Sequence, residues 1–256
     1  MKSNKQSLQL KILTVCAALL TAALRAAHYA FGMDGRSLLV ANHWSVIGLW
    51  VVSVAFALLL LLCGRSIKDA GNCSDAYPAS LGAAVGCFAL SAGLVVTSLQ
   101  QYGYFELPAD RLVWAMGLLT GVGLLVVGIC RLTGKKPYFL FHAALCLFFT
   151  LRMIAQYRHW SADPQLQDYG FYLCAHVAVM LTSYHHAAFD TGLGNRRALW
   201  IGSLCAVYLC CAAVPHCDEA LLMAACALWA LTNLAVFPLY SRRTRPVFRS
   251  AEEAEE

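Results

Sequence analysis

Charged residues are scarce in this chain: Asp, Glu, Lys and Arg make up 13% of the 256 positions, and hydrophobic residues make up 60%. A soluble domain has about 25% charged and about 45–50% apolar residues, so a soluble globular fold is excluded. The alternation of apolar and polar residues that a transmembrane barrel needs is also missing from the sequence. The chain has instead a series of apolar runs of about 20 residues, long enough to cross a hydrocarbon core of about 30 Å as helices. Lipid offers a bare backbone no hydrogen-bond partners, so these runs must be helical.

The sequence predicts an all-α, polytopic transmembrane helix bundle with eight spans. The predicted spans cover residues 9–31, 43–63, 79–100, 110–131, 138–158, 168–190, 198–214 and 219–239. Loops that contain proline and glycine separate them, because proline removes a backbone donor and glycine permits a turn. Residues 1–240 are predicted to form a single transmembrane domain, and residues 241–256 a short, charged cytoplasmic tail without fixed structure.

Lys and Arg are distributed unevenly between the two sides of the predicted membrane. The poorer side receives only Arg36, Arg111 and Arg158 from the loops. Short loops rich in Lys and Arg stay in the cytoplasm, so both termini are predicted to be cytoplasmic. The net charge of +5 follows from this topology. Membrane lipids are therefore expected partners, and nucleic acid is not. An alternative is that the first apolar segment is a cleaved signal peptide, which would leave seven spans.

Several motifs of known chemistry are absent from the sequence. The chain has no glycine-rich phosphate loop, no HExxH zinc motif and no GxSxG nucleophile elbow. Its twelve cysteines include no C-x-x-C pair, and ten of them lie within the predicted spans or at their ends. Cysteine in such positions behaves as a small apolar residue, so no disulfide framework is predicted. No catalytic residue, metal site or cofactor is predicted.

Two arginines lie inside the predicted spans. Arg152 lies roughly 9 Å inside the outer end of the fifth span, and Arg25 lies at a similar depth in the first. An arginine within a span costs at least about 2.5 kcal/mol and usually faces the bundle interior or a wet cavity. One interpretation is a pocket for a polar or anionic ligand that opens to the outside. Its candidate ligand-binding residues are Arg25, His28, Gln100, Arg152, Gln156 and His176.

Two simpler explanations of these arginines stay open. Each arginine is close enough to the outer surface for its long side chain to reach lipid phosphates or water. Alternatively, Asp168 or another loop carboxylate pairs with Arg152.

A second group of polar residues lies near the cytoplasmic side. It consists of His142 in the fifth span and His185, His186 and Asp190 at the end of the sixth. A proton relay and a metal site are both hypotheses for this group. Adjacent histidines point about 100° apart on a helix, which disfavours a tetrahedral metal site. The simpler alternative is a capped helix end, with Asp190 solvated beside Arg196 or Arg197.

The segment QYRHWSADPQLQDY, with YHHAAFDTGLGNRRALW and ALWALTNL, resembles a family of bacterial multi-pass integral membrane proteins with no assigned activity. The resemblance covers most of the chain. It implies a location in the bacterial cytoplasmic membrane, and it implies no catalytic residues.

Three functions remain possible at the level of the sequence. The first is binding or transport of a small polar or anionic solute through an outward-facing cavity. The second is a non-catalytic partner or sensor subunit that packs against other membrane subunits. The third is a membrane-embedded enzyme that modifies a lipid. The paired arginines favour the first, and the missing nucleophile–base pair disfavours the third.

Overall fold

The computed structural model describes residues 2–32, 43–66, 79–103, 108–160, 170–215 and 217–236. These residues form eight α-helices: α1 Lys2–Phe31, α2 Trp44–Ser66, α3 Leu81–Gln101, α4 Pro108–Thr133, α5 Phe139–Trp160, α6 Gly170–Asp190, α7 Arg196–Ala213 and α8 Ala220–Val236. Each helix coincides with one predicted span, so the all-α prediction is confirmed. The predicted tail, residues 241–256, lies outside the described residues.

Six of the described helices are long and apolar enough to cross a membrane: α1 through its part Leu8–Phe31, α2, α3, α4, α5 and α7. α8 is apolar but shorter. α6 has 21 residues, among them three histidines and Asp190, and is not one of these six. The chain is therefore a multi-pass integral membrane protein. Membrane crossing by α6 and α8, and with it the count of eight spans, stays a prediction.

Six helices close into a ring. Each helix from α3 to α8 packs against the next one in the chain, and α8 packs back against α3. α1 packs against α7, and α2 packs mainly against α1. Only 11% of the apolar segment of α2 is buried, whereas 56% of α3 and of α7 is buried. The ring is thus the packed core, and α2 lies at its periphery.

Glycines let α4 approach α3 closely. A Cβ atom on Gly117 would overlap the Ser98 hydroxyl, and one on Gly121 would lie 2.9 Å from a methyl group of Val95. The two glycines are four residues apart and face the same neighbour, which is the small-xxx-small spacing of membrane helix pairs.

Two helices of the ring end in the same way at the same side of the bundle. Gly134 after α4 and Gly192 after α6 have φ values of +70° and +86°, which glycine adopts without steric cost. The amide of the next residue then bonds back to the helix: Lys135 N donates to Cys130 O, and Leu193 N donates to Ala188 O, both at 3.0 Å. These bonds satisfy carbonyls that the helix end leaves without partners. They fix the last turns of α4 and α6, which carry buried polar side chains.

Candidate functional site

A cluster of polar side chains lies where α5 ends and α6 begins. Its centre is Glu219, whose carboxylate forms a bidentate ion pair with Arg152: Nε donates to Oε2 at 3.0 Å, and Nη2 pairs with Oε1. Three neutral groups donate to the same carboxylate, namely Gln101 Nε2 at 2.9 Å, Gln156 Nε2 at 3.3 Å and the Tyr172 hydroxyl. We call these five residues the Glu219 cluster. They join α3, α5, α6 and the start of α8.

The ion pair at the centre of this cluster is almost dry. The side chain of Arg152 is 2% exposed and that of Glu219 is 10% exposed. A two-point match of guanidinium and carboxylate is the strongest common form of charge-assisted hydrogen bonding. The carboxylate, with about four lone-pair sites, is fully occupied by its donors. The site is therefore built to hold one carboxylate group.

The connection between α7 and α8 brings Glu219 to this position. Pro215 follows α7, and Cys217 N donates to Val214 O at 3.4 Å in the turn. The Glu219 carbonyl then accepts the amide of Met223 at 3.0 Å and so begins α8. An acidic residue is favoured at a helix N-terminus, where the peptide dipoles leave a partial positive charge.

The second arginine lies close to the same region. The Arg25 guanidinium lies over the Phe171 ring at 5.0 Å and donates to the Tyr29 hydroxyl at 3.0 Å. Arg25 is 6% exposed. Its positive charge is thus covered by aromatic faces that stabilise a cation.

Both arginines act on the connection between α7 and α8. Burial and the neighbouring Asp218 carboxylate raise the pKa of the Cys217 thiol to about 12, against the opposing positive charges of Arg152 and Arg25. Both guanidinium groups therefore lie within electrostatic range of the connection between α7 and α8.

His176 lies below the Glu219 cluster and is fully buried. Its Nδ1 donates to the Tyr172 carbonyl at 2.9 Å, and its ring meets the rings of Tyr172 and Phe149 edge-on at 4.2 and 5.4 Å. Among the described residues, its Nε2 has no hydrogen-bond partner.

The structure brings several of the predicted site residues together. Arg152 and Gln156 belong to the Glu219 cluster, and Arg25 and His176 lie next to it. The side chains of Arg152 and Arg25 do not reach the surface of the bundle, because both are buried. The alternative in which a loop carboxylate pairs with Arg152 holds, and that carboxylate is Glu219.

Two predicted residues lie elsewhere. Gln100 is exposed, and its neighbour Gln101 is the residue that bonds to Glu219. His28 stacks on His43 at 5.7 Å, where α1 ends and α2 begins.

A second cluster of buried polar side chains lies at the opposite end of α5 and α6. Nδ1 of His142 lies 2.6 Å from Oδ2 of Asp190, and both side chains are fully buried. The His186 ring stacks on His142 at 5.1 Å and also lies 5.1 Å from the Trp229 ring. Arg131 is 2% exposed and lies within electrostatic range of His186. We call these five residues the Asp190 cluster.

Three members of the Asp190 cluster were predicted from the sequence. His142, His186 and Asp190 come together, whereas His185 is half-buried and meets the Tyr184 ring at 5.4 Å. The alternative of a solvated Asp190 is wrong, because this carboxylate is buried against His142. Within the described part of the chain, no group of three or more His, Cys, Asp or Glu residues could hold a metal ion.

Five residues of these clusters were not predicted from the sequence: Glu219, Gln101, Tyr172, Arg131 and Trp229. Glu219 follows a proline in a short connection on the predicted side of Arg152, and that position is the signal that could have found it. Arg131 is the last residue of the predicted fourth span, where a basic residue is also expected from the cytoplasmic excess of Lys and Arg. Gln101 lies one position after the predicted Gln100, which rotates the side chain by about 100° around the helix.

The two clusters are separated along the helices. Arg152 follows His142 by ten residues in α5, which corresponds to about 15 Å. Leu145 and Phe149 of α5 and Val179 of α6 are fully buried between them. An apolar layer therefore lies between two polar ends of the α5–α6 pair.

Comparisons of the chain with family models, with curated proteins and with solved structures give no match. The helices define the class: a polytopic helical membrane protein. The resemblance to a bacterial membrane family stays a prediction.

Proposed function

We propose that this protein binds and transports a small carboxylate-bearing solute, and that the solute takes the place of the Glu219 carboxylate on Arg152. The observation that carries the proposal is the bidentate Arg152–Glu219 pair, buried among three further donors. These groups already form a complete carboxylate site, and an internal side chain occupies it.

Stability alone does not account for this arrangement. Replacing a buried ion pair with packed apolar residues is often neutral or even stabilising, because removing two charges from water costs several kcal/mol per ion. An ionisable residue within a membrane bundle is for this reason a sign of function. The Glu219 cluster is also larger than a simple pair, since Gln101, Gln156 and Tyr172 all donate to one carboxylate.

Exchange of carboxylates explains how a solute could act on the fold. Glu219 belongs to a connection and is the more exposed partner of the pair. A solute carboxylate would accept the same hydrogen bonds, so no buried donor loses its acceptor. Release of Glu219 would free the start of α8 from α3, α5 and α6. A ligand that binds only the released state shifts the population toward it.

The proposed orientation places the Glu219 cluster toward the outside and the Asp190 cluster toward the cytoplasm. It rests on the distribution of Lys and Arg among the loops, with both termini inside. α1 is retained in this proposal, because Thr21 donates to the Tyr208 hydroxyl of α7 at 3.0 Å within the bundle. We place the protein in a bacterial cytoplasmic membrane on the strength of the family resemblance.

Binding to the purified protein in lipid nanodiscs tests the proposal. The probes are a panel of small carboxylic and amino acids, with uncharged sugars and amines as comparison. We expect at least one carboxylate to bind, Arg152→Gln to weaken that binding by roughly 100-fold, and Glu219→Gln to strengthen it by removing the internal competitor.

Arg158→Gln is the matched control, because Arg158 is an exposed arginine on the same helix. It should leave binding unchanged. Equal losses from Arg152→Gln and Arg158→Gln would mean that surface charge, and not the site, attracts the probe. Failure of every carboxylate to bind would overturn the proposal.

A further inference from the structure

We propose that the Asp190 cluster binds one proton, on Nε2 of His142, and that this proton is the coupling ion for solute transport. The coupling rests on the function proposed above, whereas the proton site itself rests only on the geometry of this cluster.

The hydrogen bond to Asp190 determines the tautomer of His142. Nδ1 carries a hydrogen and donates it to the carboxylate at 2.6 Å. Nε2 therefore carries a lone pair, and it is buried with no hydrogen-bond partner among the described residues. An imidazole oriented by a carboxylate, with its other nitrogen free to accept, is the arrangement of a histidine base. A hydronium ion gives its proton to Nε2 and leaves as water, so charge and atoms balance.

The ring stacking limits the cluster to one proton. His142 and His186 are 5.1 Å apart and nearly parallel, so two imidazolium ions would repel each other strongly in a dry site. The Asp190 carboxylate attracts the first proton, and Arg131 of α4 opposes it. Further titratable or charged groups at this end of the bundle are His185 of α6, Cys87 of α3, Lys135 and Lys136 between α4 and α5, and Arg196 and Arg197 at the start of α7.

Protonation of His142 changes the hydrogen-bonding requirement of the buried cluster. The new Nε2–H bond is a donor on a charged ring, and an unsatisfied charged donor costs more than an unsatisfied neutral acceptor. Entry of water would satisfy it. Proton binding therefore favours a state in which α5 and α6 separate at this end and admit water, whereas the neutral state favours the closed packing seen here. Two states with different hydration of one end are what coupled transport requires.

Trp229 provides the readout, because its ring lies 5.1 Å from His186 and is fully buried. The fluorescence emission of Trp229 is obtained by subtracting the spectrum of the Trp229→Phe variant from that of the wild-type protein, both in nanodiscs. We expect this emission to fall by roughly half and to shift to longer wavelength when the pH is lowered from about 8 to about 5. The transition should correspond to one proton. An emission that stays constant in the wild-type protein would overturn the proposal, whatever the variants do.

Three variants assign the transition to the cluster. His142→Gln and Asp190→Asn should abolish it, because they remove the base and the group that orients it. His185→Gln should retain it, since His185 is the adjacent histidine outside the cluster. A transition that survives His142→Gln, or one that is lost in His185→Gln, would contradict the assignment. Carboxylate binding is measured on the same nanodiscs. If no carboxylate binds but the transition is intact, the proposed function and the coupling are refuted and the proton site is retained. If a carboxylate binds but the transition is missing, the proton site and the coupling are refuted and the proposed function is retained.

Discussion

The buried guanidinium of Arg152 is satisfied by one carboxylate, and the two charges depend on each other. Arg152 is 2% exposed, so water cannot replace Glu219 without a change in the packing around it. Removing one partner of a buried pair leaves an uncompensated charge, which costs far more than the net value of the pair. Single substitutions at these two positions should therefore differ sharply from a double substitution.

The residue-scale prediction concerns Glu219→Ala. We expect this change to lower the free energy of unfolding by about 3–5 kcal/mol, because it leaves Arg152 charged and unpaired. Adding Arg152→Met should restore most of the loss, since the buried charge is then gone. Unfolding by SDS in mixed micelles measures both. Asp218→Ala is the control at an exposed neighbouring carboxylate, and it should stay within about 0.5 kcal/mol of wild type. Similar losses for the two alanine variants would show that the ion pair does not form.

The individual site residues were only partly predictable from the sequence. The depth of Arg152 and Arg25 follows from counting residues along a helix, and both side chains are buried at that depth. Their partner was not predictable, because Glu219 reaches Arg152 across 67 positions of the chain through a fold that brings α8 beside α3. Which of Gln100 and Gln101 points to Glu219 depends on the rotation of α3 about its axis. A helix that is apolar on every face gives no sequence signal for that rotation.

At the scale of elements, the predicted spans reproduce the helices because apolar length is a strong signal in a membrane protein. α6 differs from a simple apolar span, because its buried face carries His176, Ser183, His186 and Asp190. This helix packs between α5 and α7, so its polar residues face protein. The hydropathy of α6 is a weak signal for a membrane span, because a helix enclosed by other helices does not need to be apolar.

The element-scale prediction concerns glycine packing in α3. A Cβ atom at Gly86 would overlap the Thr232 hydroxyl and lie 3.1 Å from the Trp229 backbone, whereas one at Gly82 would meet only Ser80 Oγ at 3.8 Å. Gly86→Ala should therefore push α3 from α8 and lower the unfolding free energy by about 1–3 kcal/mol. Gly82→Ala should have no such effect, although Gly82 lies only four residues before Gly86 in the same helix. Thermal unfolding in detergent compares them, and equal effects would mean that Gly86 does not contact α8.

At the scale of the whole molecule, buried polar groups lie at both ends of the ring and apolar side chains lie between them. The Glu219 cluster joins α3, α5, α6 and α8, and the Asp190 cluster joins α4, α5, α6 and α8. α5, α6 and α8 are thus tied at both ends by polar contacts. The proposed function requires this bundle to open at one end while the other stays closed, so that a solute moves without a continuous pore.

The last prediction decides which end faces which compartment. Loops rich in Lys and Arg remain in the cytoplasm, so a cysteine at Gln165, in the loop SADPQLQD, should react with an impermeant maleimide on intact cells. A cysteine at Lys135 should react only after the cells are permeabilised, and that second reaction shows that the position is accessible. The native Cys217 lies on the side predicted to be external, but its pKa of about 12 leaves almost no thiolate near neutral pH, so its background labelling should be slow. Labelling of Lys135→Cys but not of Gln165→Cys on intact cells would invert the topology. The carboxylate site would then face the cytoplasm, and the protein would have to bind its solute from inside.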